Sequence, residues 1–165
     1  MSRKNVHDIT KEFEEELSRY TGAPYAIALD NMSNALFLAL YYEKNIKKSL
    51  TGDTVNCPAK TYPSVPCEII HAGLKVNFTP VEGKTIKGAY TLSPSNVVDS
   101  ALRFTADMYQ SGTHMCLSFT GPYKTLKLSK VVQLLQMTIR QCYGSRELDS
   151  VEEENVLIMM TTSIC

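Results

Sequence analysis

Ile9, Phe13, Leu17 and Tyr20 recur at helical spacing behind Asp8, while Glu12, Glu14, Glu15 and Glu16 fill the positions between them. An amphipathic helix therefore opens the chain, and Gly22 ends it. Residues 25–29, Tyr-Ala-Ile-Ala-Leu, read as a buried strand, and the apolar run 35–42 as a mostly buried helix starting near Ser33. Gly52-Asp53 marks a turn before a short strand at 54–57, after which Pro58, Pro63 and Pro66 break up a loop. Residues 67–73 read as a helix end capped by Gly73, and 74–78 as a further strand. The stretch 83–94 is polar and loop-like, and strands follow at Val97-Val98-Asp99 and at 114–119. Alternation of strands and helices predicts an α/β layered domain, with no internal repeat.

At 165 residues the chain suits one domain with a real core. Lys+Arg and Asp+Glu balance at 17 each, which argues against a nucleic-acid or membrane surface. The five cysteines, Cys57, Cys67, Cys116, Cys142 and Cys165, show no C-x-x-C spacing. They read as reduced thiols of a cytoplasmic protein, with no metal site. The charged N-terminus and the lack of any run approaching ~18 apolar residues predict neither signal peptide nor membrane span.

The candidate chemistry sits at strand ends. Asp99 follows two valines, and a carboxylate buried there costs several kcal/mol unless it meets a cation, a donor or water. Ser33 falls where a hydroxyl and backbone N–H groups meet the positive end of a helix, a seat for phosphate. Lys124 follows the strand Cys116-Leu117-Ser118-Phe119 after a Gly121-Pro122-Tyr123 turn. An acid and an amine so placed can hold a pyridine cofactor, one at the ring nitrogen and the other on the aldehyde. Taken singly, each has a plainer reading: Ser33 or Asn31 as a helix N-cap, Asp99 capping the next segment, Lys124 as a solvated loop lysine.

The order of motifs resembles the DegT-type sugar aminotransferases, a branch of the fold-type I pyridoxal phosphate (PLP) enzymes. The resemblance runs over about residues 8–130. It is carried by Phe13-Glu14, Tyr20-x-Gly22-Ala23-x-Tyr25-Ala26, Ala35-Leu36-x-Leu38-Ala39-Leu40, Gly52-Asp53-x-Val55, Thr61-Tyr62 and His71-Ala72-Gly73. It implies a three-layer α/β/α large domain with a mixed, mostly parallel sheet, incomplete in this chain. The family's phosphate turn falls on Asn31-Met32-Ser33, so Ser33 would hold the phosphate, with Asn34 extending the turn. Tyr62 would stack on the ring, Asp99 would hold the ring nitrogen, and Ser118-Phe119 matches the pair that precedes the catalytic lysine.

Several positions depart from the family pattern. Met32 replaces a small residue, and Leu102 falls where a donor to the ring oxygen is usual. Residues 81–96 leave little room for the strand and helix usually found there. Lys124 lies six residues after Ser118 where five is common; Lys127 is the rival, and Gly121-Pro122 can absorb the extra residue in a turn. The resemblance implies transfer of an amino group from an amino acid donor to a nucleotide-linked keto-sugar. Lys124 would carry the cofactor and then shuttle the proton. A homodimer is implied for a full-length relative. The alternative reading is a non-catalytic remnant or binding module that keeps the α/β fold. A Rossmann-like domain fits less well, since no Gly-x-Gly-x-x-Gly follows the first strand.

Residues 131–165 do not continue the family text. Val131-Val132-Gln133-Leu134-Leu135-Gln136-Met137-Thr138, back-translated as GTG GTG CAA TTA TTA CAA ATG ACA after AAG for Lys130, reads Gly-Gly-Ala-Ile-Ile-Thr-Asn-Asp when started one base earlier. That resembles the family's continuation. We therefore expect a cofactor-binding part over 1–130 and a frameshifted tail over 131–165, with the acidic run 149–155 exposed. The competing reading is a genuine, divergent helix over 131–142, and the codons beyond Lys130 decide between them.

Overall fold

The computed structural model describes residues 6–29, 31–81, 88–119 and 157–160. Helix α1 (Val6–Thr21) buries Phe13 and Leu17 and leaves Glu12 and Glu15 exposed, as its periodicity requires. It stops at Gly22, whose φ of 76° is reached at little cost without a Cβ. Strand β1 (Ile27–Leu29) is shorter than the apolar run, and Tyr25, expected inside, is 58% exposed.

Helix α2 (Met32–Tyr41) begins at the N-cap Asn31, whose side chain accepts from the Asn34 backbone N–H at 2.8 Å. A single turn of π-helix (Tyr42–Ile46) continues it, closed by the Lys47 N–H on the Tyr42 carbonyl at 2.9 Å. β2 (Thr54–Pro58), α3 (Ser64–His71) and β3 (Lys75–Thr79) then form a unit with its two strands parallel.

Residues expected as loop contain a strand. β4 (Tyr90–Thr91) pairs antiparallel with β5 (Val97–Asp99), and the Leu92 N–H on the Val97 carbonyl at 2.8 Å closes the hairpin. Two residues are too few to show a period, which is why the polarity of the surrounding segment hides them.

β6 (His114–Ser118) runs parallel to β5, and β7 (Leu157–Met160) lies antiparallel between β1 and β6. The five-stranded order is β1-β7-β6-β5-β4. Three of its four pairings among the described residues are antiparallel, so the sheet is mixed but less parallel than expected. The reason is local. A short hairpin can join only antiparallel neighbours, and β7 enters against the direction of both its flanks. The Asn56 N–H donates to the Ser93 carbonyl at 2.7 Å, tying the β2–β3 pair to the end of β4.

Side chains alternate between two cores. Val97 and Cys116 pack with Ala35, Leu36, Ala39 and Leu40 of α2, whereas Val98, Met115 and Leu117 pack with Phe13 and Leu17 of α1. Helices therefore cover both faces of β5 and β6. The carboxylate of Glu14 accepts the Ala28 N–H at 2.8 Å, so α1 also satisfies a backbone donor of the edge strand β1.

Candidate active site

Strand directions put Asp99, Ser118 and the start of α2, with Ser33 and Asn34, on one edge. β1 and β6 are both antiparallel to β7, and β5 is parallel to β6, so β1, β5 and β6 run the same way. Their carboxyl ends share an edge. Leu29, Leu157 and Ser118 are register partners there, Asp99 ends β5 level with Cys116 two residues before Ser118, and β1 and β5 are on the order of 14 Å apart at the usual strand spacing. The first turn of α2, with Ser33 half-buried and Asn34 exposed, follows the carboxyl end of β1. Ser118, also half-buried, ends β6. Alternation puts Asp99 and Ser118 on the α2 side of the sheet, with Val97 and Cys116.

Asp99 is 4% exposed. Its Oδ1 accepts the Ala101 N–H at 2.8 Å, and its Oδ2 accepts the Tyr90 hydroxyl at 2.7 Å. Tyr90 is its direct cross-strand partner, which explains how the two meet. The Tyr90 hydroxyl also touches Thr61 Oγ1. Having spent its one proton on Asp99, Tyr90 accepts here and Thr61 donates. Burial first, and the Asp99 charge second, push the Tyr90 phenol well above its usual range, so it stays a donor. The same two causes push the Cys57 thiol up to about 11 and raise Cys116 strongly, leaving both inert as nucleophiles.

Thr61 adjoins Tyr62, whose ring is 74% exposed and open to a ligand. The fold thus brings Asp99 and the Tyr62 loop together through Tyr90, and sets Ser118 and the start of α2 on the same edge. Lys124 and Lys127 lie outside the described residues. Leu102, 66% exposed, offers no donor near this edge. Sequence reasoning missed Tyr90 altogether; Ala89-Tyr90-Thr91-Leu92, bounded by Gly88 and Pro94, was the available signal.

A second polar cluster lies at the opposite, amino-terminal edge. Glu43, on the π-helix, is buried and accepts from Ser49 Oγ, from Lys47 Nζ at 3.2 Å, from Asn96 Nδ2 at 3.3 Å and from His114 Nε2 at 3.0 Å. Tyr42 meets the His114 ring edge-on at 5.5 Å. Burial lowers the His114 pKa, outweighing the pull of Glu43. The geometry agrees: His114 Nδ1 is buried without a hydrogen-bond partner, so a proton there would be an orphaned donor. For Glu43, burial pushes the pKa up, but the bonds from Ser49, Lys47 and Asn96 more than offset it and the net shift is downward.

Both shifts tilt stability the same way. Below the ordinary His value of 6.5 the unfolded chain binds a proton that folded His114 resists, and below 4.5 unfolded Glu43 protonates before the folded carboxylate does. Stability is expected to fall as pH drops below about 6.5. Urea midpoints at pH 5.0 and 7.5 check this, and equal midpoints would remove the cluster from the account.

The arrangement defines a mixed α/β domain with a buried, doubly anchored carboxylate at the carboxyl edge of its sheet. Its family model is that of the DegT/DnrJ/EryC1/StrS aminotransferases, which matches residues 5–99, more than half of the chain. The protein belongs to this family, whose members are generally PLP-dependent. The match ends at Asp99, so Ser118 and Lys124 lie beyond it. No curated protein and no solved structure matches the chain. Among the described residues, no helix is long and apolar enough to cross a membrane.

Proposed function

We propose that the chain is the cofactor-binding part of a PLP-dependent aminotransferase that moves an amino group from an amino acid to a nucleotide-linked keto-sugar. The observation that carries this is the Asp99 carboxylate, fixed on both oxygens at the edge shared with α2 and Ser118. The donor set fits the group. A buried carboxylate suits a pyridinium N–H, an open tyrosine ring suits a pyridine face, and a helix start with Ser33 suits a phosphate. When bound, PLP supplies an electron sink for charge developing at the donor's alpha carbon.

In this reading Asp99 holds a proton at the ring nitrogen, and Ser33 and Asn34 bind the phosphate. Tyr62 would cover one face of the ring, and Ser118, at the end of β6, would be on the same edge as Asp99. Lys124 would provide the covalent attachment and move the proton, for which it would have to be neutral. Residues 131–165 are assigned to a frameshifted tail, and a full-length relative to a cytoplasmic homodimer.

The exposed Leu102, where a donor is usual, favours a second reading, a remnant that keeps the fold without the covalent attachment. Borohydride reduction of the protein with PLP, followed by peptide mapping, separates the two. The aminotransferase reading expects a pyridoxyl group on Lys124 that is lost in Lys124→Ala. Its absence from Lys124 supports the remnant.

A further inference from the structure

We infer that Tyr90 is a positioning residue for the cofactor ring, joining the ring-nitrogen acid to the loop that carries the ring-facing aromatic; this rests on the reading of Asp99 given above. The two halves of that seat come from different sheets. Asp99 ends β5 of the five-stranded sheet, whereas Thr61 and Tyr62 follow β2 of the two-stranded pair. Tyr90 touches both, donating to Asp99 Oδ2 at 2.7 Å and accepting from Thr61 Oγ1.

The consequence is geometric. With Oδ1 held by the Ala101 N–H and Oδ2 by Tyr90, rotation of the Asp99 carboxylate is opposed at both ends. An acceptor held in its final orientation needs no reordering when a ring N–H arrives, and preorganisation of that kind tightens binding. The Thr61 bond polarises the Tyr90 hydroxyl and strengthens its donation. It also fixes the start of the Tyr62 loop relative to Asp99. Register explains why a tyrosine can serve here: Tyr90 is directly opposite Asp99 on the same face, and its ring packs against the α2 core, so only the hydroxyl reaches the site.

The test uses the full chain and PLP itself, with absorbance titration giving the dissociation constant and the cofactor band reporting the ring environment. Tyr90→Phe keeps the ring and is expected to weaken PLP about tenfold and to shift the band. Thr61→Val should act in the same direction, by about threefold, and keeps the test open if Tyr90→Phe does not fold. The decisive comparison is the double variant, since a residue acting through Asp99 has nothing left to position in Asp99→Asn. Tyr90→Phe/Asp99→Asn should therefore bind PLP as Asp99→Asn alone does. If Asp99→Asn weakens PLP while folded Tyr90→Phe matches the parent, or if the two losses multiply, Tyr90 has no positioning role. If Asp99→Asn binds as the parent does, the ring-acid reading itself fails, and this inference with it.

Discussion

Glu43→Ala is expected to destabilise the fold by about 3–5 kcal/mol, the cost typical of breaking a buried charged network by removing one partner. One carboxylate accepts from Ser49, Lys47, Asn96 and His114, and these donors come from three separate places: the loop after the π-helix, the residue before β5, and the first residue of β6. Alanine leaves the buried His114 Nε2 and the half-buried Asn96 Nδ2 without their acceptor. Glu43→Gln keeps the shape and part of the acceptor capacity, so it should cost less, about 1–3 kcal/mol. Urea denaturation followed by far-UV dichroism measures both. A loss below about 1 kcal/mol for alanine would mean that the strand starts are held by their apolar neighbours instead. The edge proposed to bind PLP lies at the far end of the same strands, so this loss should be separable from any change in cofactor affinity measured on the folded fraction.

Glu43 also shows what could be read from the sequence and what was hidden. Leu36, Leu40 and Glu43 stand at i, i+4 and i+7, so helical spacing places the glutamate on the buried face. Its polarity concealed it, because a charge is read as solvated unless its partners are known, and those partners lie up to 71 residues away. α1, α2 and the strands around Val55, Val76, Val98 and Leu117 were legible for the opposite reason: their apolar positions repeat locally and need no distant partner. Asp99 was legible because a carboxylate after two valines has few affordable environments. Tyr90 was not, since its meaning depends on the β4–β5 register. Tyr25 looked buried because its apolar neighbours do, yet pairing begins only at Ile27 and the ring stays in solvent.

Ile158→Pro is expected to destabilise the protein by about 3 kcal/mol or more, because Leu157–Met160 lies between β1 and β6 with a neighbour on each side. Ile158 is the register partner of both Ala28 and Leu117, and proline there removes a ladder N–H and forces the backbone away from a flanking strand. The central position makes weak demands on sequence. It needs a few apolar residues with strand propensity and an antiparallel entry, which Leu-Ile-Met-Met supplies. The shifted-frame text, Gly-Gly-Ala-Ile-Ile-Thr, would meet the same demands directly after Lys130. A tail outside the inherited reading frame and a strand seated in the sheet are therefore compatible, because the gap between two parallel strands selects for backbone pairing more than for particular side chains. Thermal unfolding of Ile158→Pro beside Ile158→Val separates the backbone effect from the side-chain effect. A proline variant that melts with the parent would show that β1 and β6 are held together without this segment.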